Sequence, residues 1–219
     1  MRWRDYFIIM KPLYDLINRD LKIAFFTSSN FLFTASFFIL IVVLIPFIFG
    51  SDSEQLRTIF KGIIWISISL SILLTLERIF YSDYEDGSLD LILQRYESLE
   101  IIICAKYIAH WVINCLPLIV ILPFLSLFFQ LTFSDIFPIL INLVIGSMGM
   151  VFVATFVSAL TLGAKRTIFL KGIILIPLLV PFIIFGVDPH SWPILIALSM
   201  MSFVISIYAS AYGLRLYGE

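Results

Sequence analysis

Only a handful of side chains in this sequence could do chemistry. The two histidines, His110 and His190, could each ligate haem iron. Neither has a second histidine or a cysteine motif at ligand spacing, so His110 reads as a hydrogen-bonded structural residue and His190 as a loop residue. Cys104 and Cys115 fall in one apolar stretch. As a helix it sets them roughly 16 Å apart, whereas disulfide-bonded Cα atoms lie within about 7 Å. Both read as small buried apolar residues. Asp188-Pro189-His190-Ser191 is too short a run for a catalytic triad. Gly163-Ala164-Lys165-Arg166-Thr167 is the nearest string to a phosphate-binding loop. It lacks the first glycine and the spacing of G-x-x-x-x-G-K-[ST], so its amides cannot wrap a nucleotide. No catalytic residue, metal or directly bound cofactor is therefore expected, and any ATP must be handled by a partner.

The densest charge runs from Glu77 to Arg95 and includes Arg78, Asp83, Glu85, Asp86 and Asp90. Gly87 can make a turn and Ser88 can cap a short helix, with Asp90 in its first turn and Leu89, Ile92 and Leu93 on one apolar face. The segment is either a solvated loop or a short interfacial helix on which a cytoplasmic ATPase docks and pushes.

The elements that must position these residues are set by composition. Of the 219 residues, 61% are hydrophobic and 13% charged, against about 25% charged in soluble domains. So much apolar surface needs lipid rather than a larger core. The formal net charge of -1 argues against nucleic acid as a partner. Phe31 to Gly50 is charge-free, long enough as a helix to cross about 30 Å of hydrocarbon. Further spans are predicted from about Ile59 to Phe80, Tyr107 to Leu131, Ile136 to Gly163, Gly172 to Val187 and Pro193 to Leu214. The fold class is thus all-α, a polytopic membrane protein of six transmembrane helices.

An amphipathic interfacial helix precedes the first span, with Leu13, Leu16, Ile17, Leu21, Ala24 and Phe25 on one face and Asp15, Arg19 and Lys22 on the other. The expected division is residues 1–30 as N-terminus and interfacial helix, 31–214 as a transmembrane domain with a coupling segment at 77–100, and 215–219 as a tail. The start of the chain does not read as a cleavable signal. Among the spans, Ser67, Ser71 and Thr75, Thr155, Ala159 and Gly163, and Ser202, Ser206 and Ser210 are small residues at helical spacing. They are read as packing faces, with a polar pathway wall as the alternative. Pro117, Pro123, Pro177 and Pro181 predict kinks.

Twelve of the 14 Lys and Arg residues fall on the side that carries both termini, and only Arg57 and Lys61 on the other. Positive charge favours the cytoplasm when loops are short, which predicts cytoplasmic termini. Lys165, Arg166 and Lys171 are read as topology determinants at the lipid headgroups.

Several strings together resemble the cytochrome c maturation protein B family, also called haem exporter protein B, over nearly the whole chain after about residue 13. They are Gly62-Ile63-Ile64-Trp65; Leu76-Glu77-Arg78 with Asp83 and Asp86-Gly87-Ser88-Leu89; Ala105-Lys106 with Ala109-His110-Trp111; Gly163-Ala164-Lys165-Arg166; and Ile176 to Phe185. The proline-leucine repeat usual after the Gly-Ser-Leu string is replaced by Gln94 to Glu100, so the exit from the docking helix is expected to differ.

The resemblance implies a permease-type subunit of an ABC transporter complex in a bacterial inner membrane, serving cytochrome c maturation. Its implied partners are an ATPase subunit, a haem-handling membrane subunit and a haem chaperone, with haem as cargo of the complex rather than a bound cofactor. Glu77, Arg78, Asp83, Asp86, Gly87, Ser88 and Leu89 would form the ATPase-coupling interface. An exporter subunit for another lipid, drug or glycan, and a non-transporting scaffold, are the alternatives.

Overall fold

A computed structural model describes residues 3–26, 29–49, 53–96, 98–163 and 167–218, and every regular element among them is helical. Arg2, Lys165 and Arg166 lie outside these residues. The helices are α1 (Trp3–Phe26), α2 (Ser29–Phe49), α3 (Ser53–Thr75), the short α4 (Tyr81–Glu85) and α5 (Ser88–Arg95), α6 (Leu99–His110), α7 (Leu116–Leu125), α8 (Phe133–Leu160), α9 (Thr167–Val187) and α10 (Trp192–Gly218).

Among the described residues, five helical stretches are long and apolar enough to cross a membrane: Glu54–Glu85, Leu99–Phe129, Phe133–Leu160, Phe169–Val187 and Trp192–Tyr217. The first expected span is α2, a helix of 21 residues, of which Phe38–Ile48 is an apolar stretch of described residues. Three spans start well before the expected residue, the second at Ser53 rather than about Ile59. The fifth span starts before Gly172, at Thr167, because the cation Lys171 is drawn inside rather than left at the surface. The third starts before Tyr107, at Leu99, because the cation Lys106 is also taken into the helix.

In the third span the helical hydrogen-bonding pattern changes around the prolines, whereas Pro177 and Pro181 lie inside the continuous α9. Pro117 has no N–H to give to residue 113 and its ring would strike that carbonyl. The chain widens into a π-helical turn over Trp111–Cys115, directly before it. After Pro123 the helix tightens into a 3-10 turn, Ser126–Phe129, and ends at Gln130, whose φ of 53° is left-handed. α8 then starts with a capping box, in which the Thr132 amide donates to Asp135 Oδ2 at 3.0 Å. Arg57 donates to Gln130 O at 2.9 Å, which joins the start of α3 to this corner.

α8 is the central helix, packed along its length on α10 and also against α9, α3, α6 and α7. Polar groups of α10 are satisfied across this seam: Ser206 Oγ donates to Phe152 O at 2.7 Å and Ser199 Oγ to Ile145 O at 2.9 Å. Ser202 and Thr155 instead donate to carbonyls of their own helices. Of the stripe hydroxyls, those of Thr75, Thr155 and Ser202 are thus satisfied within their own helices and that of Ser206 across the seam, whereas those of Ser67, Ser71 and Ser210 are buried without a partner among the described residues.

One tight junction surrounds Trp65. A Cβ added at Gly146 of α8 would lie 2.3 Å from its ring, and one at Gly186 of α9 2.2 Å from it. Only glycine lets both helices approach the indole, so these two positions fix how α3, α8 and α9 meet.

α1, residues 76–96 and the C-terminal end of α10 gather at one end of the bundle, as the contacts Arg19–Asp83 and Tyr217–Asp90 require. The corners around Arg57, Gln130 and Asp188 form the other end.

Candidate coupling site

The site is built on the break after α3. A 3-10 turn, Leu76–Arg78, carries the chain out of the helix, and Leu76, Ile79 and Phe80 stay buried in the core. α4 is one turn long and ends at Asp86. Gly87 follows at φ 75°, a left-handed conformation open to glycine at no steric cost. The structure corrects the expected cap: Gly87, not Ser88, is the N-cap of α5, and Ser88 is its first helical residue. The Ser88 amide donates to Asp86 Oδ1 at 2.8 Å, closing the turn. Ser88, through its side chain and then its backbone amide, holds the Asp86 carboxyl below the usual carboxylate range.

Asp83 is the hub. It is 4% exposed, and its carboxylate accepts from Arg19 of α1, from Lys106 of α6 and, at 3.0 Å, from the Ser88 hydroxyl. Lys106, 5% exposed, also pairs with Asp20 of α1 at 2.9 Å, and Asp20 with Arg19 at 3.2 Å. Two cations and two anions thereby neutralise one another where α1, α4 and α6 meet. Burial makes each charge dependent on its partners, because an isolated ion here would lose hydration without compensation. Leu16, Ile92, Ile102 and Ala105 form an apolar cluster beside it, with Leu13 and Ile17 packed against them. The apolar face of α1 is therefore taken up largely by α5 and α6, while Met10, Tyr14 and Ile23 remain exposed.

The seven residues singled out from sequence do not form one surface. Asp83 and Leu89 are buried, and Ser88 reaches inward to Asp83. Glu77 pairs with Lys171 at 3.6 Å. Lys171 is 1% exposed and lies over the Tyr81 ring at 5.1 Å, so the headgroup position expected for it is corrected: its neutralising partner is Glu77. Arg78 lines a cavity. Only Asp86 and Gly87 of the seven are exposed, and they share that outer edge with Glu85, Asp90, Gln94 and Leu91, which is 68% exposed. Sequence reasoning missed Arg19, Asp20 and Lys106 as parts of the site; a lysine in the apolar run Ile101 to Ala109 was the available signal.

The far end of α10 closes the assembly. Tyr217 donates to Asp90 Oδ1 at 2.9 Å and meets the Tyr84 ring edge-on at 5.4 Å. α5 is thus held from α10 as well as from α1 and α6. Below the hub, His110 is buried, with Nε2 3.4 Å from Thr75 Oγ1 and Nδ1 3.1 Å from Asn114 Nδ2. Cys104 and Cys115 are free. Among the described residues no three His, Cys, Asp or Glu side chains converge as metal ligands. The arrangement is an exposed acidic edge on a short helix, backed by a buried ionic joint.

The chain is 37% identical to heme exporter protein B of Bradyrhizobium diazoefficiens, over 94% of this chain and 98% of the relative. It is 33% identical to heme exporter protein B of Paracoccus denitrificans, over 91% and 97%. For heme exporter protein B of Escherichia coli K12 the figures are 31% identity over 76% of each chain. The sequence profile described as CcmB protein matches residues 11–217, from within α1 to the Tyr217 contact on α5, and so the chain belongs to the CcmB family.

Proposed function

We propose that this chain is the membrane-embedded subunit of an ABC-type haem-export system for cytochrome c maturation, and that α4–α5 receives the stroke of a separate ATPase. The observation that carries this is the division of the segment into two faces. Its outer edge exposes Glu85, Asp86, Asp90 and Leu91, while Asp83, Ser88 and Leu89 tie its inner face to the helices. An exposed leucine among carboxylates suits a basic groove with an apolar floor. A push on α5 passes through Asp83 and Lys106 into α6, through Arg19 into α1, and through Asp90 and Tyr217 into α10.

The relatives bear the name heme exporter protein B, and haem enters as cargo of the complex, handled with a haem-binding membrane subunit and a haem chaperone. ATP stays with the ATPase, since the chain has no phosphate-binding loop. The excess of Lys and Arg at the end that carries both termini favours a cytoplasmic position for that end, in the inner membrane of a bacterium.

The test is co-reconstitution with the ATPase, comparing wild type with Leu91→Asp and with Asp86→Lys/Asp90→Lys. ATPase stimulation and co-purification should fall while the membrane subunit stays folded. Unchanged stimulation in both variants would remove the coupling role. A C-terminal tag accessible only from the outside would remove the orientation.

A further inference from the structure

A cavity of about 200 Å³ lies directly beneath the ionic joint, walled by α1, the turn after α3 and the α6–π-turn segment. Arg19, Asp20, Asp83 and Lys106 form one wall, already paired among themselves. Arg78 lines it too, and among the described residues no carboxylate lies within ion-pair distance of its guanidinium. Ser82, His110 and Asn114 add polar groups, and Ile23, Ala24, Ile79, Ala109 and Ile113 make up the apolar part of the lining.

A second group in the cavity lacks a partner. Asn114 is 4% exposed and its Nδ2 donates to His110 O at 3.1 Å. A carbonyl can only accept, which fixes the amide orientation. Thr75 gives its hydroxyl hydrogen to Ser71 O at 2.8 Å, so it accepts from His110 Nε2, and His110 Nδ1 is left to accept from Asn114. Asn114 Oδ1 is then a buried acceptor with no donor. Buried acceptors are rarely left so, and the cavity is where a donor would have to come from.

We propose that this cavity holds the headgroup of a membrane phospholipid, its phosphate on Arg78 and a hydroxyl or ammonium donor of the head on Asn114 Oδ1. The acyl chains leave past Ile23 and Ala24, and Ile23 is half exposed at the rim. Basic pockets between membrane helices bind such heads by this chemistry. An inorganic phosphate would leave the apolar walls empty. A carboxylate-bearing cargo such as haem could reach Arg78 but, as an acceptor, would leave Asn114 unpaired. The site is independent of the ATPase contact on the outer edge of α5.

The test uses the full chain in mild detergent, with bound lipid read by native mass spectrometry. Phosphatidylethanolamine and phosphatidylglycerol should be retained in preference to phosphatidylcholine, whose head has no N–H or O–H donor. Arg78→Gln should weaken retention of all three about fivefold, the effect of one cation near a membrane surface. Asn114→Leu should abolish only the preference over phosphatidylcholine, and Arg215→Gln should change nothing. If Arg78→Gln does not fold, Ala24→Phe, which fills the cavity without removing charge, must lose the lipid instead. Equal retention by wild type and a folded cavity variant overturns the proposal. So does displacement of the lipid by glycerol phosphate or by haem, the latter read from the Soret band.

Discussion

Asp83 accepts from Lys106, which is nearly shut off from water, and from Arg19, whose side chain is 30% exposed. Removing its charge leaves both cations to Asp20 alone, and breaking a buried pair such as that of Lys106 costs up to about 3–5 kcal/mol. Asp83→Asn should therefore lower the thermal midpoint in detergent clearly. Asp83→Leu combined with Lys106→Met, which removes one buried cation together with the anion, should recover part of the loss. A double mutant no more stable than Asp83→Leu alone would show that the cluster does not act as a unit.

Gly87 gives a cleaner residue-scale case. A Cβ there meets nothing within 4 Å, so only its φ of 75° opposes a side chain. Gly87→Ala should cost about 1 kcal/mol, read as a shift in the midpoint. Asp86 adds a pH dependence. Its carboxyl is held below its ordinary pKa by Ser88, so its contribution is full above about pH 4, the unfolded value. It is lost as pH falls through the lower folded value. Asp86→Asn should flatten the acid limb of stability, and a limb unchanged by that substitution would show that the turn is held by other groups.

At the scale of elements, the seat of Trp65 sets the relation of three helices. Gly146→Ala and Gly186→Ala each push a methyl into the indole, and overpacking of this kind costs about 1–3 kcal/mol. Trp65→Leu should suppress either defect by vacating the ring volume, measurable as a midpoint above that of the glycine variant alone. Five of the spans were legible in sequence, because a charge-free run such as Ile136 to Gly163 answers to the bilayer rather than to distant contacts. Helix ends were less legible. Lys106 and Lys171 look like end markers, yet each lies inside a helix beside a carboxylate brought from elsewhere in the chain. The turn at Asp86-Gly87-Ser88 was readable because its chemistry is local. Arg19 and Asp83 are separated by 64 positions, and ion pairs at that range leave no period in a sequence.

For the molecule as a whole, the ties among α1, α5, α6 and α10 join the two ends of the chain to its middle. Cutting one tie at a time should separate docking from transmission. Tyr217→Phe removes the hydroxyl on Asp90 but keeps the ring against Tyr84. It should leave ATPase binding intact while lowering haem-export output, measured as cytochrome c yield. Equal loss of binding and output would instead place Tyr217 at the docking surface.

The two glycines against Trp65 also make that indole an optical gauge. Its ring is sealed from solvent and touches α8 and α9 at once, so sliding of either helix must change its surroundings. In a chain with the other three tryptophans replaced, emission that stays constant through a full ATP cycle would mean that α3, α8 and α9 travel as one block. A shift in step with hydrolysis would place the moving seam through the middle of the protein.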